Sequence, residues 1–217
     1  MKPVLYSYYR SSCSYRIRIA LYLANLDFEY HAIHLVQEGG QQNKNEYQKL
    51  NPKGEVPFFA NEEIQLSQSM AILQYLDEKY LNHRLFSKEL ARRCKCIELC
   101  EVINSGIQPI QNLRVLQELE KRYQIGGDEK ASWCAHWIEA GFQALEKQLE
   151  KTSGTYSMGD EVSAVDLYVV PQMYNAHRFK LDMNKFPLLS KVNKNCLALP
   201  AFQKAGPSVQ PDAPKAN

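Results

Sequence analysis

A serine- and cysteine-rich turn lies where the first predicted strand passes into the first predicted helix. The turn reads Ser11-Ser12-Cys13-Ser14 and directly follows Arg10. A helix N-terminus presents backbone N–H groups and the positive end of the helix dipole, so a thiolate placed there is favoured over the thiol. Hydroxyls at this turn can also donate hydrogen bonds to sulfur. The turn therefore predicts a site for a sulfur anion, with simple capping of the helix as the alternative.

Two further motifs reduce the weight of that alternative. Val56-Pro57 precedes a predicted strand, and a cis bond there would turn the N–H and C=O of Val56 outward for an extended peptide to pair with. Gln68-Ser69 begins the next predicted helix, which forms a second anion site from N–H groups and a hydroxyl. Both motifs indicate binding rather than structure alone.

The elements that must position these motifs alternate between strand and helix over the first eighty residues. Between two predicted strands, a stripe with a period of 3.6 predicts an amphipathic helix, with Arg16 and Arg18 off the stripe. The stripe consists of Ile17, Ala20, Leu21 and Ala24. The predicted order is a strand at 4–8, this helix, a strand at 27–35, a short helix near 45–50, a hairpin through 56–59 and 64–66, and a helix from Gln68.

Strand signals end near residue 88, and long helical patterns follow. They span 89–123, 129–151, 163–178 and 187–203. Pro109 should end or kink the first of them, and Ser163 with Asp166 predicts a capping box at the start of the third. The proline-containing tail from Gly206 has no periodicity and is expected to lie extended over the surface. We predict an α/β domain over 1–82 and an all-helical domain over 88–217.

Charge and hydropathy exclude several classes of protein. The chain of 217 residues carries 26 Lys and Arg against 24 Asp and Glu, a net charge of +2 that is too small for a nucleic-acid-binding surface. No apolar run approaches the roughly 20 residues that cross a bilayer, so no membrane partner is expected. The first residues lack the pattern of a signal peptide, which makes a cytoplasmic location the expectation.

The six cysteines are expected to be reduced thiols in that compartment. Cys94, Cys96 and Cys100 invite a zinc interpretation, but Cys94 and Cys96 point about 200° apart on a helix, and no second Cys or His pair has ligand spacing. Packing as small apolar residues is the better interpretation, so no metal is predicted. A vicinal dithiol at Cys13 is excluded because both positions that could complete a C-x-x-C motif are Arg.

Over nearly its whole length the chain resembles the cytosolic glutathione transferases, specifically their zeta class. The resemblance implies a thioredoxin-like N-terminal domain and an all-α C-terminal domain. The serine-cysteine turn is specific to the class, whereas Val-Pro and Gln-Ser are common to the family. The motifs that carry the resemblance are Ser11-Ser12-Cys13-Ser14 with residues 16–21, Gly40-Gln41-Gln42, Asn51-Pro52, Val56-Pro57, Gln68-Ser69, Gln108-Pro109, Gln111-Asn112-Leu113, Gly159-Asp160, Asn175-Ala176, Arg178-Phe179 and Gln210-Pro211-Asp212.

Glutathione is the cofactor that the resemblance implies. Its cysteinyl backbone would pair with Val56, its γ-glutamyl carboxylate would lie at Gln68 and Ser69, and its thiolate would lie at Ser11 and the N–H near Cys13. The full set of implied glutathione-binding residues is Ser11, Ser12, Gln42, Val56, Pro57, Gln68, Ser69 and Gln108.

The resemblance also implies the reaction, a glutathione-dependent cis–trans isomerisation of maleylacetoacetate to fumarylacetoacetate in tyrosine and phenylalanine breakdown, carried out by a homodimer. Ser11, Cys13 and Arg178 are the expected catalytic residues. A dicarboxylate substrate needs cations and hydrogen-bond donors. Arg178 ranks first for that role; Arg10, Arg16 and Asn112 complete the expected substrate-binding set. For Arg16, a solvated helix arginine is an equally weighted alternative.

Other functions stay open at this point. Maleylpyruvate isomerisation differs only in the acyl tail of the substrate, and a general glutathione transferase activity shares the same site. Cys13 could instead form a mixed disulfide with glutathione in a thiol transferase. A non-catalytic module that binds a protein partner is the alternative of another class, and it is disfavoured because Ser11, Val56-Pro57 and Gln68-Ser69 are all present.

Overall fold

The structure, a computed structural model, describes residues 2–215. It divides into two compact units, one formed by the described parts of 1–83 and 199–217, the other by Arg84–Ala198. The outermost residues of both predicted domains, 1 and 216–217, lie outside the described residues. The strands are β1 (Val4–Ser7), β2 (Glu29–Ala32), β3 (Phe58–Ala60) and β4 (Gln65–Ser67). The helices are α1 (Ser12–Leu23), α2 (Asn45–Leu50), α3 (Ser69–Tyr80), α4 (Leu90–Asn104), α5 (Leu113–Tyr123), α6 (Gly127–Thr152), α7 (Ala164–Arg178), α8 (Pro187–Leu197) and α9 (Pro200–Ala205).

The first unit is built on a mixed sheet with the strand order β2-β1-β3-β4. β1 pairs in parallel with β2, Val4 opposite Glu29, and antiparallel with β3, Val4 opposite Ala60. β3 and β4 form the predicted hairpin. A parallel pair requires a crossover, which α1 provides. The thioredoxin-like α/β arrangement expected for this part of the chain is confirmed.

Helix α1 is buried on more sides than its apolar stripe indicates. Arg16 and Arg18, expected off the stripe, are both 0% exposed. α1 packs against α3 and also against α9, which comes from the far end of the chain. The interpretation of Arg16 as a solvated helix arginine is therefore wrong, because a distant element covers the face that the local pattern left to solvent.

The C-terminal residues belong to the first unit rather than to the helical one. Tyr15 on α1 donates to the Phe202 carbonyl at 3.4 Å, and Arg18 donates to the Ala205 carbonyl at 2.9 Å. Residues 199–217 were predicted as part of the helical domain, and this packing places their described part with residues 1–83 instead. The tail also departs from an extended course, since Pro207–Val209 form a 3-10 turn.

The second unit is all-helical, as expected. Its central helix, α7, is buried along nearly its whole length and contacts α4, α6 and α8. The predicted helical stretch 89–123 is two helices, α4 and α5, because α4 already ends at Asn104, before Pro109. The stretch 187–203 is likewise divided, with Pro200 in the first turn of α9.

The capping box at the start of α7 is built around Asp166. Its carboxylate, 0% exposed, accepts hydrogen bonds from the N–H and the hydroxyl of Ser163, at 2.8 and 3.0 Å, and from the N–H of Ser157 at 2.9 Å. Burial raises the pKa of Asp166 above its usual range, against these donors. The motif fixes the start of α7, the helix that ends at Arg178.

Cys96 and Cys100 lie in the interior of the helical unit, as the packing interpretation predicts, whereas Cys94 is exposed and the interpretation is wrong there. Cys134 and Cys196 are buried in the same unit. Within residues 2–215, no cluster of three or more His, Cys, Asp or Glu side chains is arranged to hold a metal ion. In the same range no helix combines the length and apolar character that crossing a membrane requires.

Candidate active site

The serine-cysteine turn is the N-terminus of α1. Ser11 is its N-cap, with extended backbone angles, and the Ser11 Oγ accepts the Ser14 N–H at 3.2 Å. This bond uses a lone pair of the oxygen and leaves the hydroxyl proton to be donated elsewhere. Cys13 lies half-buried in the first turn, where backbone N–H groups have no intrahelical acceptor. Ser11 therefore serves as a cap and still carries a donor at the positive end of a 12-residue helix.

Arg18 holds the backbone that leads into this turn, a role that the sequence pattern did not indicate. Its guanidinium donates to the Ser7 Oγ at 3.1 Å, to the Tyr8 carbonyl at 3.3 Å and to the Tyr9 carbonyl at 2.9 Å. Burial lowers the pKa of Arg18 to about 10. The arginine thus fastens three successive residues just before the turn.

Val56 and Pro57 are joined by the cis peptide bond that the motif suggested. The ladder between β1 and β3 begins at Phe58, opposite Tyr6, so Val56 and Pro57 lie beyond the paired residues. Val56 packs with Tyr8 and Tyr47 in a buried cluster. Its backbone is held at the end of a strand, outside the ladder, where an extended peptide can add by β-pairing.

The Gln68-Ser69 motif begins α3. Gln68 is the N-cap and has φ +72°, a left-handed conformation that is uncommon for a residue other than glycine and that concentrates at functional sites. The Gln68 side chain is exposed, whereas Ser69 is 5% exposed. The Ser69 hydroxyl accepts a hydrogen bond from the Arg16 Nη1 at 3.0 Å. Arg16 therefore orients Ser69 from the interior.

This geometry corrects the expectation that Arg16 binds the substrate. Its side chain is 0% exposed and contacts Ser69 inside the first unit, so in this structure it has no surface to offer a substrate carboxylate. Arg10 differs, because it is half-exposed, next to the turn, with its guanidinium 5.9 Å from the centroid of the Tyr9 ring.

Gln42 lies in a 3-10 turn, Gln41–Asn43, after Gly40. Its Nε2 donates to the Leu35 carbonyl at 3.2 Å, while its Oε1 is buried with no hydrogen-bond partner among the described residues. Gly40 has φ +90°, and a Cβ there would lie 2.5 Å from the Gln42 amide. The glycine thus makes room for a side chain that still has an unused acceptor.

The remaining predicted residues lie in the helical unit. Asn112 caps α5 by accepting the Arg114 N–H at 3.2 Å, and Gln108 is half-buried in the segment before it. Arg178 is the last residue of α7 and is exposed, with its guanidinium 4.9 Å from the centroid of the Phe179 ring. Its charge also acts to lower the pKa of Cys134, against a larger opposing effect of burial.

A buried amide pair stands behind the Gln108–Asn112 segment. The Gln111 Nε2 donates to the Gln172 Oε1 on α7 at 2.7 Å, and the two residues are 9% and 0% exposed. The other amide atoms, Gln111 Oε1 and Gln172 Nε2, have no hydrogen-bond partner among the described residues. The pair ties this segment to the helix that carries Arg178. A buried glutamine on an apolar helix face was the sequence signal for it.

The serine-cysteine turn, the Val56-Pro57 strand end and the start of α3 at Gln68-Ser69 all adjoin one small mixed sheet, which is the arrangement of a thioredoxin-like domain. Comparison with known families agrees with this class. The glutathione S-transferase N-terminal domain model matches residues 1–78, and the C-terminal domain model matches residues 137–200. The chain belongs to the glutathione S-transferase family, in its zeta class.

Three similar proteins illustrate the relationship. The maleylacetoacetate isomerase of Rattus norvegicus is 46% identical over 98% of this chain and 96% of its own. A solved structure described as the holo form of maleyl pyruvate isomerase, a bacterial zeta-class enzyme, superposes with a TM-score of 0.93 at 37% identity, over 97% of this chain and 100% of that one. The maleylacetoacetate isomerase of Anaeromyxobacter dehalogenans, solved with dicarboxyethyl glutathione and citrate in its active site, has a TM-score of 0.86 at 37% identity, over 99% of this chain and 98% of that one.

Proposed function

We propose that this chain is a glutathione-dependent cis–trans isomerase that converts maleylacetoacetate to fumarylacetoacetate. The observation that carries the proposal is Ser11, which caps α1 through its oxygen and keeps its hydroxyl proton for a sulfur anion. The similarity to the rat isomerase over nearly the full length of both chains supports the same reaction. The ligand of the Anaeromyxobacter dehalogenans enzyme, which combines glutathione with two carboxylates, supports the same pairing of cofactor and substrate class.

The residues of the first unit fit glutathione. The backbone of Val56 lies outside the β ladder and can pair with the cysteinyl residue of the tripeptide. The start of α3, with Gln68 and the Ser69 hydroxyl, suits the γ-glutamyl carboxylate. We also propose Gln42, which is half-buried, as a contact of the tripeptide.

Bound glutathione supplies a thiolate that adds to the cis double bond, which permits rotation, and then leaves to give the trans alkene. The chain's part is to keep that sulfur ionised. The Ser11 hydroxyl donates to it, and the positive end of α1 stabilises its charge. We place Ser12 and Cys13 in the same turn, where Cys13 shapes the site and contributes its N–H.

The two carboxylates of the substrate require cations. We propose that Arg178 binds one of them, since it is exposed at the end of α7, and that Arg10, next to the thiolate turn, assists. Asn112 is proposed to contact the substrate, and Gln108 the glutathione. Arg16 is not among the proposed substrate contacts because its side chain is wholly buried.

Maleylpyruvate is the second candidate substrate. The observation in its favour is the TM-score of 0.93 with the maleyl pyruvate isomerase structure. The reaction and the residues would be the same, and only the acyl tail of the substrate would differ.

We also propose, from membership of the family, that the protein is a homodimer in the cytoplasm. Sedimentation at several protein concentrations tests the dimer. Microscopy of the tagged chain in its own cell tests the location.

The experiment that tests the function is isomerisation of maleylacetone, used in place of maleylacetoacetate, with glutathione far below the substrate concentration. We expect many turnovers per glutathione and no consumption of the thiol. Maleylpyruvate is assayed in parallel, and the larger kcat/KM identifies the substrate. Stoichiometric loss of glutathione would indicate conjugation instead of isomerisation, and retention on glutathione resin without any turnover would indicate a binding module.

A further inference from the structure

The C-terminal tail is fastened to the first unit by specific hydrogen bonds. Pro207 and Gln210 are buried. The Gln210 side-chain amide donates to the Lys204 carbonyl at 2.9 Å and to the Gly206 carbonyl at 2.8 Å. These bonds fold the tail back on the end of α9 and thereby fix the position of Asp212, two residues further on.

Both carboxylate oxygens of Asp212 bind groups from the beginning of the chain. Its Oδ2 accepts the backbone N–H of Tyr9 at 2.9 Å, and its Oδ1 accepts the hydroxyl of Tyr30, next to Glu29 on β2, at 2.7 Å. Asp212 is itself half-buried. Hydrogen bonds to an ionised acceptor are about twice as strong as neutral ones, so this contact holds Tyr9 firmly.

Tyr9 is consequently held at both ends of its backbone. The Asp212 carboxylate accepts a hydrogen bond from the Tyr9 N–H, while Arg18 donates to the Tyr9 carbonyl at 2.9 Å. The neighbouring Tyr8 carbonyl receives the Ser11 N–H at 3.0 Å as well as Arg18. Asp212 and Arg18 carry opposite charges, and this attraction acts to raise the pKa of Arg18 against the larger lowering by burial. A continuous set of hydrogen bonds therefore runs from the tail to the residue that caps α1.

We propose that Asp212 is a positioning residue of the thiolate turn, acting through Tyr9 and Arg18 to place the Ser11 hydroxyl and the first N–H groups of α1. The inference rests on the proposed function, in which that turn binds the sulfur of glutathione. A donor displaced by about 1 Å loses much of its catalytic effect, up to about 100-fold in rate. The C-terminal tail thus belongs to the machinery of the site although it contacts no reacting atom.

The test compares Asp212→Asn with two further variants. Asn keeps the shape of the side chain but removes the charge and one acceptor. Tyr30→Phe removes one hydrogen bond while leaving the carboxylate and its bond to Tyr9. Asp182→Asn is the matched control, because Asp182 also accepts a backbone N–H, that of Asn184 at 3.1 Å, but lies in the helical unit.

Three quantities are measured for each variant: amide hydrogen exchange of residues 8–14, the pKa of the bound glutathione thiol from thiolate absorbance, and kcat with KM for glutathione. For Asp212→Asn we expect faster exchange in this turn, a higher thiol pKa and a kcat about tenfold lower, within the range that small displacements cause. Tyr30→Phe should shift the same quantities less, and Asp182→Asn should leave them at the wild-type values.

A purely structural role would lower the thermal stability of Asp212→Asn and leave all three quantities unchanged in the folded protein, which would overturn the inference. If Asp212→Asn fails to fold, the same three quantities are compared between Tyr30→Phe and the wild type. Unchanged hydrogen exchange of residues 8–14 in Tyr30→Phe would then contradict the proposal. A wild-type chain that binds no glutathione would remove the proposed function, whereas the exchange of residues 8–14 would still decide whether Asp212 positions the turn.

Discussion

At the scale of the residue, Ser11 combines two hydrogen-bonding roles in one hydroxyl group. Its oxygen accepts the Ser14 N–H, and its proton is left for a ligand. Ser87 makes the first kind of bond outside this turn, since its Oγ accepts the Glu89 N–H at 3.1 Å in the helical unit. Comparison of the two serines therefore separates the loss of a hydroxyl that accepts a backbone N–H from the loss of the donor proposed for the sulfur anion.

Ser11→Ala should lower kcat by about 10²-fold, the usual loss for a donor to a developing or bound anion, and should cost about 1 kcal/mol of stability for the lost cap. Ser87→Ala should show no loss of kcat. Cys13→Ala should reduce kcat far less than Ser11→Ala if Cys13 only shapes the site. Isomerisation kinetics and urea unfolding of the three variants provide the measurement. A larger loss for Cys13→Ala would favour thiol transferase chemistry.

The two arginines Arg16 and Arg178 should affect different Michaelis constants. Arg16→Met removes the buried donor to Ser69 and should raise the KM for glutathione about tenfold, with a stability loss of about 1–3 kcal/mol. Arg178→Ala should raise the KM for the substrate about tenfold or more and leave stability nearly unchanged, because the residue is exposed.

Kinetics with each reactant varied in turn separate these outcomes. Arg122→Ala is the control for removing an exposed arginine, since the Arg122 side chain is 68% exposed on α5. If Arg16→Met changed only the KM for the substrate, Arg16 would be a substrate-binding residue after all. If Arg178→Ala changed both KM values equally, the proposed role of Arg178 in substrate binding would be wrong.

At the scale of the element, local patterns predicted which segments are helices and strands better than which faces they bury. The apolar stripe on α1 is present, but Arg16 and Arg18 are buried as well. The reason is that α9 packs on α1 from far along the chain: Arg18 and Ala205, which are hydrogen-bonded, are 187 positions apart. A pattern within one helix contains no information about an element so distant. Pro109 indicated the break between α4 and α5, although α4 already ends at Asn104. The boundary between α8 and α9 was missed because helical periodicity continued across it.

The parts of the site that could be predicted are those encoded by adjacent residues. The Ser11 turn and the start of α3 at Ser69 follow from local rules about caps and helix termini, whereas Val56-Pro57 indicated only that a cis bond was possible. The roles of Arg18 and Asp212 depend on partners brought together only by folding, so no local rule could indicate them.

The Gln111–Gln172 pair gives a prediction that belongs to this scale, because it joins the Gln108–Asn112 segment to α7. Either single change to Leu leaves a buried amide without its partner and should cost about 1–3 kcal/mol. The double change to Leu should recover much of this loss, because it also removes the two amide atoms that have no partner among the described residues. Urea unfolding of all four proteins gives the coupling free energy. Additive losses in the double variant would show that the hydrogen bond contributes nothing.

At the scale of the whole molecule, the first and the last of the described residues belong to the same compact unit. The helical unit, Arg84–Ala198, is inserted between residues 83 and 199. The return of the tail brings Phe202, Ala205 and Asp212 to α1 and to the backbone before it. The stability of the first unit therefore depends on residues from both parts of the sequence that form it.

Alkaline pH should lower the stability of the molecule in part through four tyrosines of the first unit. Burial is the main reason that the pKa values of Tyr8 and Tyr75 are raised to about 12, and it raises those of Tyr30 and Tyr47 further above the ordinary 10.0. In the unfolded chain these phenols ionise near pH 10, while the native state keeps their protons. The native state then binds more protons, so the free energy of unfolding should fall as the pH rises above about 10, and the full contribution should be present below that pH.

Urea unfolding followed by circular dichroism between about pH 8 and 11 measures this slope, which for each tyrosine approaches about 1.4 kcal/mol per pH unit above the unfolded pKa. Tyr47→Phe removes the proton of one of these tyrosines and should flatten the slope by about that amount, even though it also loses the bond to the Glu55 carbonyl. Tyr123→Phe, at a side chain 69% exposed, is the control and should leave the slope unchanged. A slope in Tyr47→Phe equal to that of the wild type would mean that the Tyr47 phenol ionises equally in both states, because a lost hydrogen bond alone shifts stability at every pH by the same amount.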